Sequence, residues 1–487
     1  MKAAARFGME RGLSIITRFV NRTKELAALS RWWETQDQAA VVWGRRRVGK
    51  TLLLQHFVAD KRVVFHTGAD RGEVDELRLL ANRVATSLPG GLRDLATRPY
   101  TSWDDALDDL GARASTRTLL VLDEFPELVR STPALPRILR AFLDRSRGQS
   151  YLRLLLCGSA VRTMHALQEE REPLYGRFDL SLTIHPFDQH EASLMLSQLD
   201  PADRALVYGI VGGMPLYLSW WDQNETIDEN LSRLVCDPGA RLLSEGDLVL
   251  RTDIDGGEYA HQALYAIATG RTKYNEIKDY IRAEPQRTLE RLIELRLVER
   301  LMPAGESERS KRRIYRITDP FIRFHLGTVA EYRTEIDRGL GQSILPVLGE
   351  AIDDHMGDIW EESFRSELRR RAGAGNLPVG GSVVAIGPWW ATAGDNEIDA
   401  LVLVGRSETP ALAGEAKWAR TADADTLVKA LRRKVELGLK HDPDALRYAV
   451  CARNGVTSAA HDVLVLTAAD LFSIEEISGG ETRGSTP

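Results

Sequence analysis

Short apolar runs alternate with amphipathic segments over the first third of the chain. Runs of strand length lie at 40–43, 62–66, 118–122 and 152–157. Helical periodicity covers the intervening segments 72–87, 103–114 and 133–147. An alternation of strands and helices predicts a parallel sheet covered by helices. After Pro186-Phe187 the pattern is helical to about residue 255, with a break at 212–215.

The rest of the pattern predicts two further domains. Residues 259–326 have the order of a winged helix, with a second helix at 275–281, a third at 285–297, and short strands at 298–301 and 313–317. From about residue 345 a long helix at 348–371 is followed by strand-like runs, which is the order of an α/β domain. These runs lie at 383–386, 398–404, 411–417 and 448–451, with a helix at 422–437.

The first strand leads into Gly44-x-x-x-x-Gly49-Lys50-Thr51, and a helical pattern follows. In this P-loop arrangement backbone N–H groups surround the phosphates, the lysine reaches the β- and γ-phosphates, and the threonine hydroxyl binds Mg²⁺. The alternative is a glycine turn beside a buried lysine. The expected ATP contacts are Gly44, Arg45, Arg46, Arg47, Val48, Gly49, Lys50, Thr51 and Leu52, with Asn21 and Arg22 near the base.

A second acidic element follows at TLLVLDEFPEL, where four apolar residues precede Asp123-Glu124. A buried parallel strand that ends in Asp is typical of a Walker B site, so Asp123 is predicted to hold Mg²⁺ through water. Glu124 is then placed to polarise the attacking water. The alternative is a buried strand with an acidic end. The run at 152–157 ends at Gly158-Ser159, so Ser159 is predicted to sense the γ-phosphate, unless it only forms a turn.

A separate constellation lies in the C-terminal part: Glu361 on the long helix, Asp399 in NEIDALVLV, and Glu415-Ala416-Lys417. Strand alternation places Glu415 and Lys417 on one face. Asp399 and Glu415 are predicted to hold Mg²⁺, Lys417 to activate water, and Glu361 to complete the shell. This is nuclease chemistry. The alternative is a solvated strand edge with paired charges.

Charge is distributed unevenly along the chain. The whole chain carries a net charge of −6, yet residues 259–325 hold 14 Lys/Arg against 9 Asp/Glu. A local basic surplus on a winged helix predicts phosphate contacts along DNA. An interdomain packing module with solvated charges explains the same pattern. The predicted nucleic-acid contacts are Arg287, Arg291, Lys311, Arg312 and Arg313.

Composition restricts the class of protein. With 43% apolar and 28% charged residues, the chain is predicted to be soluble and globular. Its three cysteines are far apart without metal-ligand spacing, which favours a reducing cytosol and excludes a zinc site. No apolar run is long enough to span a bilayer, so no membrane partner is expected. Residues 1–17 are expected to form a loose extension, and the tail after Ser478 to be disordered.

Several segments in the same order resemble the prokaryotic "archaeal ATPase" family, a STAND-like branch of the AAA+ P-loop ATPases. They are 19–26, GRRRVGKT, TLLVLDEFPEL, LLLCGS, PLYGR at 173–177 and GGMPLYL at 212–218. TDPFIRFHL and residues 345–475 resemble the DUF234 region, which looks like a PD-(D/E)XK nuclease fold. The resemblance implies that Arg177 acts as an arginine finger, with a surface ion pair as the alternative. It also implies that 212–215, including Pro215, forms the hinge of a helical lid over the nucleotide.

The predicted fold is therefore α/β: a P-loop AAA+ parallel sheet with a helical lid, a winged helix and a C-terminal α/β restriction-endonuclease-like domain. The predicted bounds are 1–17 extension, 18–195 core, 196–255 lid, 256–330 winged helix, 331–344 linker, 345–476 nuclease-like domain and 477–487 tail. The predicted function is a cytoplasmic ATP-hydrolysing switch that acts on DNA. The alternative is a non-nucleolytic ATP-dependent regulator or scaffold whose winged helix binds DNA or a protein partner. A second copy of the chain and an unlinked protein are the other candidate partners.

Overall fold

The computed structural model describes residues 19–474 except 92, 253–256, 308–309, 393–395 and 459–460. The predicted extension at 1–17 and the predicted tail at 477–487 lie outside the described residues. The chain divides into two compact units, Met1–Pro186 and Phe187–Pro487. None of the described helices combines the length and apolar content that crossing a membrane requires.

The first unit is built on a five-stranded parallel sheet with strand order β2-β3-β4-β1-β5. Its strands are β1 Ala39–Trp43, β2 Val63–Thr67, β3 Thr118–Asp123, β4 Leu152–Gly158 and β5 Leu180–Thr183. Its helices are α1 Thr23–Glu34, α2 Lys50–Phe57, α3 Glu73–Ser87, α4 Trp103–Arg113, α5 Phe125–Ser131, α6 Leu135–Ser146 and α7 Val161–Ala166. The parallel sheet predicted from the apolar runs is confirmed, and β5 was missed because none of its four residues is fully buried.

Strands β1, β3 and β4 are buried along their whole length, which is why their sequences are continuous apolar runs. The central strands pair in register, with Val41 opposite Leu156 and Leu120 opposite Leu154. Helices α3, α4 and α6 cover the sheet and contribute Leu80, Trp103, Leu107 and Leu139 to its core. The sheet therefore holds the carboxyl ends of β1, β3 and β4 side by side, where the P-loop and the acidic residues begin.

The second unit opens with helices α8 Gln189–Met195, α9 Pro201–Val211, α10 Pro215–Leu218, α11 Ile227–Leu231 and α12 Arg241–Thr252, and Ser232–Cys236 is a π-helical turn. The helix–hairpin segment, residues 260–317, follows. It contains α13 Ala260–Ala268, α14 Tyr274–Ile281, α15 Gln286–Glu294, β6 Val298–Leu301 and β7 Ile314–Ile317. The two strands pair antiparallel. Helix α15 ends three residues before the predicted 297, since Arg296 adopts a positive φ of 56°.

The residues predicted as a linker, 331–344, are largely helical. Helix α16 Pro320–Gly327 is followed by a 3-10 turn at Val329–Tyr332, α17 Arg333–Asp337 and α18 Gly341–Gly373. Helix α18 has 33 residues and starts seven residues before the predicted 348. Pro346 lies inside this helix, at its sixth residue, so the helix lacks the hydrogen bond that an N–H at this position would donate to the Gln342 carbonyl.

A mixed five-stranded sheet with order β14-β12-β10-β9-β8 forms the C-terminal part. Its elements, with a small β11–β13 pair, are β8 Val383–Trp390, β9 Glu397–Val404, β10 Thr409–Lys417, β11 Thr421–Asp423, α19 Ala424–Lys434, β12 Arg447–Ala452, β13 Gly455–Thr457, β14 Val463–Leu466 and α20 Ala468–Leu471; a π-helical turn at Val435–Leu439 and a 3-10 turn at Pro443–Ala445 follow α19. Strands β8, β9 and β10 pair antiparallel, whereas β10, β12 and β14 pair parallel.

Helix α18 packs on this sheet through Trp360, Phe364 and Leu368. The approach is close at Gly414, where a Cβ would lie 2.7 Å from the Phe364 ring. Glycine at this position therefore lets α18 lie directly on β10, next to the strand that carries Asp399.

Candidate nucleotide site and carboxylate cluster

The loop between β1 and α2 has the geometry of a P-loop. Gly49 adopts φ 92° and caps α2, a conformation that side chains rarely accept. A Cβ at Gly44 would lie 2.3 Å from the carbonyl oxygen of Ile184, so only glycine fits there. Both glycines are thus required by the backbone, and the loop leads directly into the N-terminus of α2.

Lys50 lies inside this loop and is only 5% exposed. Its Nζ donates hydrogen bonds to the carbonyl oxygens of Gly44 and Arg45, each at 2.9 Å. The ammonium group is therefore held where the loop would surround an anion. Arg46 and Leu52 are exposed, Val48 is buried, and Arg45 and Arg47 are half-buried.

The predicted Walker B residues lie beside the P-loop. The Thr51 hydroxyl donates to Asp123 Oδ2 at 3.0 Å, which joins the start of α2 to the end of β3. Asp123 is 1% exposed, and burial, reinforced by the negative charge of Glu124, raises its pKa. The fully buried Cys157 on the neighbouring β4 forms a hydrogen bond with the same carboxyl group. Cys157 is a neighbour of the acid that sequence reasoning did not connect with the site.

Glu124 is separated from Asp123 by a sharp change of backbone direction. It adopts φ 49° and ψ 48° at the start of α5, which aims its side chain toward β4. There the Ser159 hydroxyl donates to Glu124 Oε2 at 2.8 Å, and the Ser159 N–H lies 3.3 Å from the same oxygen. The structure therefore places Lys50, Thr51, Asp123, Glu124 and Ser159 at one edge of the sheet.

Residues before α1 pack against the P-loop. Asn21 and Arg22 both have positive φ, and Arg22 Nη2 donates to the Val48 carbonyl at 2.9 Å. Phe19 stacks on His56 of α2 at a ring distance of 4.1 Å. Pro215, in contrast, lies at the start of α10 in the second unit, outside the unit that contains the P-loop.

Arg177 forms an ion pair at the surface of the first unit. Its Nε donates to Asp144 Oδ1 at 2.6 Å and its Nη2 to Oδ2 at 3.3 Å. The Arg177 side chain is 33% exposed and the Asp144 side chain 43% exposed. This is the alternative considered from the sequence, and an arginine finger would first have to leave Asp144.

In the second unit, Asp399, Glu415 and Lys417 lie together on neighbouring strands β9 and β10. Asp399 and Glu415 are 5% and 6% exposed. Lys417 Nζ is 2.8 Å from Glu415 Oε1 and 3.9 Å from Asp399 Oδ2. Asp399 Oδ2 also accepts a hydrogen bond from the Ala416 N–H at 2.8 Å. The carboxylate cluster, defined here as Glu361, Asp399 and Glu415, therefore has two buried acids on the strands and Lys417 at its edge, while the Glu361 side chain is 26% exposed.

Burial and neighbouring charge raise the pKa values of two acids of this cluster, Asp399 and Glu361. Burial and then the charge of Glu415 raise the pKa of Asp399 to about 6. Burial and then the charge of Asp399 raise the pKa of Glu361 to about 8. Burial lowers the pKa of Lys417, but the charges of Asp399 and Glu415 outweigh this effect and raise it. Such crowding of acids is typical of functional sites.

Within the described ranges, no group of three or more His, Cys, Asp or Glu side chains is arranged to hold a metal ion. The expectation that Glu361 completes a metal shell is therefore not met in this conformation. Glu361 instead lies 3.6 Å from the guanidinium of Arg365, one helical turn away. Asp399 and Glu415 remain as the pair of candidate ligands.

Two basic residues of this site were missed in the sequence. Arg365, 1% exposed, donates to the Asp399 carbonyl at 2.6 Å. Lys434, at the end of α19, donates to Glu415 Oε2 at 2.8 Å. Arg365 could have been found from its i,i+4 spacing to Glu361 on one helix. No spacing along the chain connects Lys434 with Glu415.

The predicted nucleic-acid residues occupy different environments. Arg287 and Arg291 are exposed on α15, and Lys311 is exposed in the hairpin loop. Arg313 is half-buried. Arg312 pairs with Glu306 and donates to the Trp390 carbonyl of β8 at 2.7 Å, so its guanidinium is already engaged. The prediction of Arg312 as a DNA contact is thus at odds with its use in packing.

The same hairpin loop is anchored by the backbone. The Ala304 N–H donates to the Pro388 carbonyl of β8 at 2.8 Å. Arg316 of β7 pairs with Glu362 of α18 at 2.7 Å. The hairpin therefore packs against β8 and α18, as the packing alternative proposed for the segment requires.

Comparison with protein families agrees with this geometry. Residues 19–220 match the model of an ATPase domain predominantly from Archaea. Residues 325–428 match the model of DUF234, archaeal and bacterial proteins of unknown function. The first part of the chain is an ATPase domain of the archaeal ATPase family. The resemblance inferred from the sequence is confirmed for both segments, and the first contains the P-loop, Asp123 and Glu124.

Individual relatives extend the comparison. An uncharacterised protein of Methanocaldococcus jannaschii is 25% identical over 473 residues, which is 94% of this chain and 100% of the relative. An uncharacterised ATP-binding protein of the same organism is 45% identical over 49 residues, 10% of this chain and 83% of the relative.

Solved structures also resemble the chain. A Walker-type ATPase of Pyrococcus abyssi has a TM-score of 0.49 and 19% identity, and covers 65% of this chain and 98% of its own. The Aeropyrum pernix ORC2 protein has a TM-score of 0.44 and 13% identity, and covers 68% and 97%. At these scores neither structure assigns a role to a residue of this chain.

Proposed function

We propose that this ATPase-domain protein is an ATP-hydrolysing switch that acts on DNA through a metal-dependent nuclease-like site in its second unit. The observation that carries the proposal is the presence of two separate buried acidic sites. One joins Thr51 to Asp123 beside Lys50, and the other joins Asp399 and Glu415 to Lys417.

At the first site Lys50 would contact the β- and γ-phosphates once it exchanges the loop carbonyls for phosphate oxygens. The Thr51 hydroxyl and the Asp123 carboxylate would hold Mg²⁺, which supplies charge stabilisation to the phosphates. These two oxygen donors lie 3.0 Å apart, and a cation would offset the burial that raises the Asp123 pKa, so the donors fit the ion.

Glu124 would polarise the attacking water, as a carboxylate next to Walker B does. In this structure Ser159 holds its carboxylate at 2.8 Å. Because Ser159 binds the Glu124 carboxylate through both its hydroxyl and its N–H, it can hold that carboxylate either toward the attacking water or away from it. Ser159 is therefore proposed to link the state of the phosphates to the position of Glu124.

At the second site Asp399 and Glu415 would hold Mg²⁺, which in nucleases polarises the phosphodiester and lowers the pKa of water. Two buried acids on neighbouring strands fit a cation, which would offset the burial that raises the Asp399 pKa. Only these two ligands are in place among the described residues. Lys417, 2.8 Å from Glu415, would orient the hydrolytic water or stabilise negative charge. The proposed location is the cytosol, where the three buried free cysteines would stay reduced.

The test is cleavage of labelled single- and double-stranded DNA in Mg²⁺ or Mn²⁺, with and without ATP. The Asp399→Ala/Lys417→Ala variant should lose cleavage, because it removes one ligand and the lysine. A matched control, Asp462→Ala/Arg447→Ala, removes one exposed acid and one exposed base of the same domain and should cleave normally. Dependence of cleavage on ATP would establish that the two sites are coupled.

The second candidate function is a regulator that hydrolyses ATP without cutting nucleic acid. The packed wing, in which Arg312 and Ala304 contact β8, favours this role for the helix–hairpin segment. Absence of cleavage on every substrate, from protein that still hydrolyses ATP, would select the regulator. A second copy of the chain or an unlinked protein would then be the partner to seek.

A further inference from the structure

A basic groove lies on α19, beside the carboxylate cluster. The groove has a volume of about 620 Å³. It is lined by Asn396, Thr426, Lys429, Ala430, Arg433, Lys434 and Leu437. Its charged lining residues are two lysines and one arginine, with no acidic side chain among them. The groove is therefore positively charged, whereas the carboxylate cluster beside it is acidic.

Two of these charges are available for a ligand. Lys429 and Arg433 are one helical turn apart and exposed. Neither has an ion-pair partner among the residues that the structure describes. Arg432, the next basic residue along α19, instead pairs with Asp444 and lies over the Tyr448 ring. The helix thus uses Arg432 in contacts with Asp444 and Tyr448, whereas Lys429 and Arg433 make no ion pair with any described residue.

Lys434 connects the groove with the carboxylate cluster. Its Nζ lies 2.8 Å from Glu415 Oε2, while the rest of its side chain lines the groove. Asn396, which also lines the groove, directly precedes β9, the strand that carries Asp399. The groove therefore adjoins residues that lead to Asp399 and contact Glu415.

We propose that this groove binds the phosphate backbone of a nucleic acid and leads it to the carboxylate cluster. Lys429 and Arg433 would each neutralise a phosphate, as unpaired basic side chains do along DNA. Two unpaired basic side chains one helical turn apart suit successive phosphates of a polyanion, and the exposed apolar Leu437 offers a contact for a base or sugar. The proposal extends the proposed nuclease-like function, because it places the substrate backbone on α19 and not on the hairpin loop.

The test measures binding of a fluorescein-labelled oligonucleotide of about 20 nucleotides, single-stranded and duplex, to the full chain in EDTA, over a series of salt concentrations. Lys429→Gln/Arg433→Gln should weaken binding about tenfold or more at 100 mM salt and lower the log–log salt slope by about 1.4 to 1.8, the contribution of two phosphate contacts. The control Arg406→Gln/Arg447→Gln removes the same charge from exposed positions elsewhere on the domain.

Unchanged binding by the groove variant, or an equal loss in the control, would overturn the proposal. A loss confined to Arg287→Gln/Arg291→Gln would also overturn it and assign binding to α15. If the wild type binds neither oligonucleotide but binds polyglutamate through the groove, the ligand is an acidic protein and the proposal is wrong. Groove-dependent binding without cleavage in Mg²⁺ or Mn²⁺ would support the groove and reject the nuclease activity, so the two failures are distinguishable.

Discussion

The role of Arg177 can be decided by comparing the ATPase activity of a variant at Arg177 with that of a variant at its ion-pair partner, Asp144. The two side chains form a two-point contact, at 2.6 and 3.3 Å, between the loop after α7 and helix α6. Both are substantially exposed, at 33% and 43%. An ion pair with that exposure is screened by water and salt, and it shifts an equilibrium by no more than about fivefold.

The two interpretations of Arg177 differ by orders of magnitude in turnover. If it is an arginine finger, Arg177→Ala should lower kcat by about 10³-fold or more, since such an arginine stabilises the charge of the transferring phosphoryl group. Asp144→Asn should then leave kcat unchanged or raise it by at most about fivefold, because it releases the arginine. If the pair is only structural, both variants should lower thermal stability slightly and leave kcat within about twofold.

The assay is steady-state ATP hydrolysis at saturating ATP and Mg²⁺, measured over a range of protein concentrations, with thermal unfolding measured alongside. A concentration-dependent kcat that is lost in Arg177→Ala would indicate that the arginine acts on a neighbouring copy. An arginine finger is refuted if Arg177→Ala retains wild-type kcat at every protein concentration. An equal, large loss in Asp144→Asn would show that fold integrity and not transition-state contact is being measured.

Three further predictions concern other residues. Lys50→Ala should abolish ATP binding or hydrolysis, because the Lys50 ammonium is the charge that the carbonyls of Gly44 and Arg45 hold inside the loop. A titration with fluorescent ATP and an ATPase assay check this, and wild-type turnover would reject the P-loop assignment. Glu124→Gln should retain ATP binding but lower kcat about 10²- to 10⁴-fold, the usual contribution of a general base, and wild-type kcat would remove Glu124 from the mechanism. Glu367 makes a pH prediction: burial raises its pKa, but hydrogen bonds from His190 and from two arginines of α18 outweigh this and lower the pKa to about 2. Because the pKa of Glu367 is lower in the folded than in the unfolded protein, its ionised carboxylate stabilises the folded state by about 3 kcal/mol above about pH 4.5, and this stabilisation should be lost as pH falls toward 2. Urea unfolding of wild type and Glu367→Gln over that pH range measures the effect. Parallel pH profiles of the two proteins would contradict it.

Much of the first unit could be predicted from the sequence because its signals are local. A buried parallel strand requires a continuous apolar run, and a loop around phosphate requires glycine, lysine and threonine at a set spacing. The continuous apolar runs are found in β1, β3 and β4, and the glycine, lysine and threonine spacing is found in the loop 44–51. The structure places these elements as expected. Strand β5 was not predicted because its partly exposed residues do not form a continuous apolar run.

The C-terminal acids were found in the sequence because Glu415 and Lys417 alternate on one strand. The same strand pattern could not show what surrounds them. Lys434 lies on α19, 17 residues after Lys417 in the sequence. It contacts Glu415 only because α19 packs on the sheet. The pKa values of Asp399 and Glu361 depend on burial and on mutual distance, neither of which a one-dimensional pattern contains.

The basic segment 259–325 shows most clearly what could not be predicted from the sequence. Its charge surplus was visible in the sequence and supported both DNA binding and packing. Which role each arginine has was decided by tertiary contacts: Arg312 is used on β8 and Arg316 on α18, whereas Arg287 and Arg291 stay exposed. The sequence by itself determined which side chains carry charge and which strands are buried, because both follow from residue type and local periodicity. Only the tertiary structure decided which charges are paired, since pairing depends on residues that are distant in the chain and meet when helices and strands pack.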